Sequence, residues 1–429
     1  MTLNRRILAL ALPSIAANIT TPLLGLVDTA VTGHMGSARY LAAISVGGVM
    51  FNMLYWLFGF LRSGTSGLTA QALGADDRRG CSLALARSLT VAVSTGLLMI
   101  LLRVPIAELL TSFLDPDSDT APLARRYFSI LIWGAPAMLA SYAFTGWYLG
   151  MQNSKVNLVV SLVVNIVNIA ASITLVYGFG MKIEGVAYGT LTAQWCSMIP
   201  CMIFLRKYRV GIFSPRDIVN LAELKRFFGV NTYIMLRTVF MILVTLWFTR
   251  EGARQGAVIL AVNTMLMQFF MLFSYFMDGF AFAGEALVGL YAGARDLNSE
   301  RRCVSALFRW GMAMSGVFTV AYFVGGDSFL RLLSSEVSVI TASGEYWWWA
   351  LTVPFAGFAA FIWDGVYVGA TMTRQLAVAT LSGAAIFFAA DFALVPEFGN
   401  HGLWGAFILY LLARGITQWV IYRKRTISI

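Results

Sequence analysis

Charge is scarce in this chain. Of its 429 residues only 12% are Asp, Glu, Lys or Arg, about half the share found in an average soluble domain. A soluble protein of this length could not cover its surface with so few charges. Cysteine is scarce too: four residues exclude a small disulfide scaffold, and Cys81, Cys196, Cys201 and Cys303 read as small apolar residues. With only two histidines, His34 and His401, a histidine metal centre is excluded. No G-x-x-x-x-G-K-[ST] run occurs, so nucleotide hydrolysis does not supply energy. What the chain has in abundance is apolar side chains, 59% of all residues, with 14% aromatic. These figures leave no room for disorder, a collagen repeat or a coiled coil, and they point to a polytopic membrane protein.

Apolar runs long enough to cross a bilayer fall at roughly 7–33, 40–73, 82–104, 123–149, 156–177, 184–205, 228–250, 256–291, 302–324, 340–370, 375–395 and 401–422. Twelve spans are therefore expected, in an all-α integral membrane protein. The first is too long for a signal peptide and runs through Pro13 and Pro22, so it reads as a retained span. Lys and Arg sort by loop. About 20 lie on one side, among them Arg5, Arg6, Arg78, Arg79, Arg206, Lys207 and Arg423, against about 8 on the other. Both termini are thus expected in the cytoplasm, and the net charge of +10 marks topology rather than nucleic-acid binding.

The halves repeat at an offset of about 219 residues. Gly74, Ala75 and Asp77 match Gly293, Ala294 and Asp296. Gly146, Tyr148, Gly150 and Lys155 match Gly365, Tyr367, Gly369 and Arg374, and Gly180 matches Gly399. Six spans per half return the chain to its starting side, so the repeats are parallel. The expected domains are a six-helix lobe over 1–210, a basic cytoplasmic connector over 211–226 and a second six-helix lobe over 227–429. Two like bundles suit alternating access, which points to a transporter.

An ionisable group inside a span is a functional candidate by default. On the first span Asn18, Thr21, Gly25, Asp28 and Thr32 recur at steps of three and four, forming one polar stripe. Asp28 lies six residues before His34, roughly 9 Å below the helix end at 1.5 Å per residue. No Lys or Arg stands within a helical turn of it, which suits reversible proton binding. The fifth span carries Asn157, Ser161, Asn165, Asn168 and Ser172, and the sixth Thr190, Gln194 and Ser197. Such stripes either line a wet cavity or join helices by hydrogen bonds. The eighth span offers Asn263, Met267, Ser274, Asp278 and Glu285, the tenth Asp364, Tyr367 and Thr371, and the eleventh Asp391. These acids either face a cavity or pair with Arg62, Arg237 and Arg414. Arg62 and Glu285 sit near the cytoplasmic ends of their spans, where gate pairing or snorkelling is expected. Asp115-Pro-Asp117-Ser-Asp119 reads as a solvated acidic loop, since no second such cluster accompanies it as in a diphosphate-binding enzyme.

The run Pro22-Leu-Leu-Gly-Leu-Val-Asp28-Thr-Ala-Val-Thr-Gly33-His34 resembles the first helix of multidrug and toxic compound extrusion (MATE) transporters, most closely their DinF-like branch. The likeness continues in Phe60-Leu-Arg62, Gly67-Leu-Thr-Ala-Gln71, Asp278-Gly-Phe-Ala-Phe-Ala-Gly-Glu285 and Asp364-Gly-Val-Tyr-Val-Gly369, and it covers essentially the whole chain. The resemblance implies two six-helix lobes around a V-shaped cleft and cation-coupled antiport that expels amphipathic or cationic compounds. It implies that Asp28 is the coupling group, with Asn168, Ser172 and Thr190 around it and Pro22 as the hinge. Asn18, Thr21, Thr32, Asn165, Gln194, Met267, Asp278, Asp364 and Tyr367 become candidates for the substrate cavity. The sequence also departs from the family. Relatives often have an aspartate at Ser172 and a tyrosine at Leu24, and the sodium-linked NorM-like branch has a glutamate in the seventh span that is missing here. Asp28 is then the lone carboxylate of the amino-terminal cavity, which favours a proton over sodium. The expectation is a monomeric drug/proton antiporter of the bacterial inner membrane, with no cofactor and no enzymatic activity. A sodium-coupled drug antiporter and a lipid-linked saccharide flippase of the same superfamily are the alternatives.

Overall fold

With no water inside a bilayer, a spanning segment must satisfy its own backbone, and long apolar runs close into helices. The computed structural model describes residues 2–33, 38–208, 210–211, 213–333 and 336–427. His34 and Arg209 lie outside these residues, as do the side chains of Thr21 and Leu24. Among the described residues there is no strand. Twelve helical segments follow one another: α1 (Leu3–Gly33), α2 (Arg39–Gly74), α3 (Arg78–Leu101), α4 (Thr120–Gly150), α5 (Lys155–Gly178) and α6 (Ile183–Cys196, continued by Met198–Leu205). Then come α7 (Leu221–Arg254), α8 (Ala257–Gly293), α9 (Leu297–Leu333), α10 (Val337–Gly369), α11 (Thr373–Phe398) and α12 (Asn400–Ile427). Ten are long and apolar enough to cross a membrane, α1 and α6 being the other two. The 37 residues of α8 rise about 55 Å, well beyond a hydrocarbon core of about 30 Å. The helix therefore extends past the bilayer core.

Local breaks follow the residues that force them. A 3₁₀ turn at Ile132–Gly134 leads into Pro136 in α4, because a proline cannot donate to the preceding turn. α5 ends in a wider π turn, Thr174–Gly178. Two shorter helices, Arg103–Leu114 and Pro215–Ile218, stand outside the twelve. The second is held by a capping box between Ser214 and Asp217. The Ser214 hydroxyl and the guanidinium of Arg79 keep the Asp217 carboxyl below its ordinary range. In the acidic loop, Asp117 Oδ1 accepts from Asp119 N at 3.1 Å and Thr120 N at 2.9 Å. That run therefore caps α4.

The chain divides into two compact units, residues 12–228 and residues 1–11 with 229–429. Each carries the same local devices. Left-handed backbone occurs at Asp76 and Arg295 (φ 55° and 57°), at Gln152 and Thr371 (63° and 53°), and at Gly180 and Gly399 (68° and 54°). Every pair is 219 residues apart. Asp77 N bonds to Ala72 O at 2.9 Å and Asp296 N to Tyr291 O at 3.0 Å, and both aspartates cap the helix that follows. A Cβ at Gly146 would run into the Arg62 carbonyl on α2, and one at Gly365 into the Ala281 carbonyl on α8. Glycine is thus required twice, at the same crossing of each unit's second and fourth helices. The Tyr148 hydroxyl donates to Cys201 O and that of Tyr367 to Gln418 O, both at 2.6 Å.

Candidate ion-coupling site

In the amino-terminal unit Asp28 is buried, 5% exposed, on α1. Thr190 of α6 donates to its Oδ2 at 3.4 Å, and Asn168 of α5 donates to Thr190 Oγ1 at 2.8 Å. Ser172 lies one turn further along α5, against Gly189, where an added side chain on α6 would collide with its hydroxyl. Asp28 Oδ1, Asn168 Oδ1 and Ser172 Oγ are all buried with no hydrogen-bond partner among the described residues. The structure thus brings together the four residues Asp28, Asn168, Ser172 and Thr190. Three oxygens of the set have no hydrogen-bond partner among the described residues. Among the described residues Asn168, Thr190 and Tyr127 bear on the Asp28 carboxyl, and none is basic.

Two residues of this site are absent from the sequence reading. Tyr127 of α4, 4% exposed, lies beside Thr190 and within electrostatic reach of Asp28. A lone tyrosine in an apolar span gives no periodic signal. Thr20 of α1 shares a 2.6 Å hydrogen bond with Ser161, and its carbonyl accepts from Asn165 Nδ2 at 3.1 Å. The α5 stripe is therefore divided. Its first half joins α5 to α1, and its second half turns to Asp28. Thr20 lies one residue before the stripe position Thr21, whose side chain lies outside the described residues.

The remaining candidates fall in different places. Asn18 is half-buried on α1. Thr32 donates to the backbone carbonyl of Asp28 and so leaves the carboxyl group alone. Gln194 is buried beside Gly134, and its Oε1 has no partner among the described residues. α1 runs unbroken through Pro22, where a proline leaves one backbone bond unmade and marks a bending point. Arg62 donates to Ser63 Oγ at 2.8 Å, and Glu285 is buried on α8. Met267 is half-buried on α8, as is Asp278, which lies within electrostatic reach of Tyr275.

Two candidates of the carboxy-terminal unit are committed to partners within it. Asp364, a cavity candidate, is locked in a charge cluster instead. Arg237 donates to its Oδ2, Arg414 donates to the same oxygen at 2.7 Å, and Gln418 donates to Oδ1 at 2.9 Å. Tyr367 is fully buried with its hydroxyl committed to Gln418 O, so it fills the core. Charge explains the first and packing the second. A buried carboxylate is stable when paired, and α12 supplies the partners at Arg414 and Gln418, one turn apart. Asp391 pairs with none of the arginines: Trp247 Nε1 donates to its Oδ2 at 2.8 Å.

Comparison with known proteins agrees with the fold and its repeat. The MatE family model matches the chain twice, over residues 13–174 and 232–391, with starts again 219 residues apart. DNA damage-inducible protein F of Escherichia coli (strain K12) is 35% identical over 418 residues, covering 97% of this chain and 91% of that protein. The probable multidrug resistance protein NorM of Chromobacterium violaceum is 25% identical, covering 96% and 92%. A solved structure of a MATE transporter in the bent conformation superposes with a TM-score of 0.90 at 18% identity, covering 100% of this chain and 96% of that one. The Vibrio cholerae MATE transporter VcmN in its bent form gives 0.88 at 15% identity, covering 99% and 97%. These two structures are similar in fold.

Proposed function

The chain belongs to the MatE family of multidrug and toxic compound extrusion transporters, and from that premise we propose that it is a proton-coupled antiporter. It expels amphipathic or cationic compounds across a bacterial inner membrane, and both of its termini are cytoplasmic. The observation that carries the reading is Asp28, a buried carboxyl group on a proline-containing helix, with one oxygen unpartnered and no basic partner among the described residues. In the outward-open state Asp28 takes a proton from outside. The neutral carboxyl no longer attracts the donors of α5 and α6, α1 bends at Pro22, and substrate leaves. In the inward-open state the proton passes to the cytoplasm and the ionised carboxylate again favours the cationic substrate. The names of the relatives support drug efflux, and the twofold family match supports the alternating lobes this cycle needs.

Sodium coupling is a second reading, favoured by one observation. Asn168, bonded to Thr190 next to Asp28, and Ser172, one turn on, each carry an oxygen with no partner among the described residues, the kind of neutral ligand a hard cation uses. Efflux of a cationic dye from proteoliposomes, with proton and sodium gradients imposed separately, distinguishes the two. A proton gradient alone should drive efflux. Efflux driven by sodium alone would overturn the proton assignment.

A further inference from the structure

The 219-residue repeat carries Asp28 onto Trp247 and Ser172 onto Asp391. In the amino-terminal unit the acid stands on the first helix of the repeat and a hydroxyl on the fifth. In the carboxy-terminal unit the acid stands on the fifth helix and faces an indole on the first. The contact is direct, Trp247 Nε1 donating to Asp391 Oδ2 at 2.8 Å. Asp391 is 3% exposed, and its Oδ1 is buried with no hydrogen-bond partner among the described residues. The depth corresponds as well. Asp391 lies seven residues before the end of α11 at Phe398, and Trp247 seven before the end of α7 at Arg254. That is about 10 Å at 1.5 Å per residue, comparable with Asp28 five residues before Gly33.

The surroundings are aromatic and contain few other charges. The Trp247 ring packs edge-on against Phe388 and Phe392, with centroids at 5.4 and 5.8 Å. Glu251, one turn along α7, is bound to Arg254 at 2.9 Å, and the Arg250 guanidinium lies over the Trp247 ring at 4.8 Å. α12, packed along α11, brings Arg414, held by Asp364, and His401, which accepts from Trp349 and faces Glu345 at 3.5 Å. Trp247 is the one hydrogen-bond donor to Asp391 among the described residues. A carboxylate offers about four acceptor positions, and one neutral donor leaves Oδ1 as the atom on which a proton can sit.

We propose that Asp391 is a proton-binding site of the carboxy-terminal unit, the counterpart of Asp28, exchanging its proton with the water at the shared end of α7 and α11. The proposal rests on the proton-coupled reading above, but it is tested separately. Infrared difference spectra of the purified protein between acidic and alkaline pH report protonated carboxyl groups by their C=O stretch. The expected result is two such bands, one lost in Asp28→Asn and the other in Asp391→Asn. Trp247→Phe, which keeps the acid and removes its donor, should retain the second band at a shifted frequency. If the Asp28 band appears and Asp391→Asn leaves the spectrum unchanged, this inference is overturned and the role of Asp28 stands. If Asp28→Asn removes nothing, the coupling reading fails whatever Asp391 does. Should Asp391→Asn not fold, a hydrophobic carbodiimide that modifies protonated buried acids can be applied to the unaltered protein. Mass spectrometry should find an Asp391 adduct at acidic pH that disappears at alkaline pH. Absence of the adduct at both would overturn the proposal.

Discussion

The two units share a backbone plan and treat a buried acid in opposite ways. In the amino-terminal unit the described residues around Asp28 are neutral, a threonine, an asparagine and a tyrosine, and one of its oxygens has no hydrogen-bond partner among them. In the carboxy-terminal unit Asp364 is surrounded by two guanidinium groups and an amide, so its cluster carries one excess positive charge. A carboxyl group with no fixed counter-charge can change its protonation state at small cost. One fixed between two arginines cannot, because losing its charge strands both cations. The duplicated plan therefore holds a carboxyl group able to switch on α1 of one unit and a carboxylate anchored by charge on α10 of the other.

Substitutions test that contrast. The largest effect is expected from Asp28→Asn, which should reduce dye efflux in proteoliposomes to background while leaving protein yield and thermal stability close to the parent. Undiminished efflux would remove Asp28 from the coupling role. Asp364→Asn should do the reverse to stability, costing about 3–5 kcal/mol by leaving buried arginines unpaired, read as lower yield and a lower Tm in detergent. If both asparagine variants proved equally stable, the contrast between the units would be gone. Gly146→Ala and Gly365→Ala address what the units share. Each places a methyl group against a carbonyl of the neighbouring helix and should cost about 1–3 kcal/mol of overpacking, by similar amounts in the two units. The smallest effects belong to the matching caps. Asp77→Ala and Asp296→Ala each remove one side-chain acceptor from a helix start and should cost about 1 kcal/mol, measured by thermal denaturation.

Much of the fold was legible because its signals are local. A run of apolar residues spells a span wherever it occurs. The 219-residue repeat was visible in glycines and aspartates whose backbone roles the structure supplies: left-handed turns, helix caps and close crossings. The core of the candidate site was legible too, since Asp28, Asn168, Ser172 and Thr190 stand on polar stripes of helical period. Tyr127 and Thr20 were not legible. Each is a single polar residue whose meaning depends on which helix lies opposite. The same limit applies to Asp364 and Asp391. Sequence reading left open whether they pair or face a cavity, and their partners, Arg414 and Trp247, lie 50 and 144 residues away.

Composition alone, with 12% charged residues, required a membrane protein, because a bilayer is the solvent in which so few charges suffice. The sequence also determined the span pattern, the repeat and the absence of any basic residue within a helical turn of Asp28. The tertiary structure decided which buried charges are neutralised. That depends on distances between helices far apart in the chain, and Coulomb and hydrogen-bond energies are set by those distances rather than by sequence spacing.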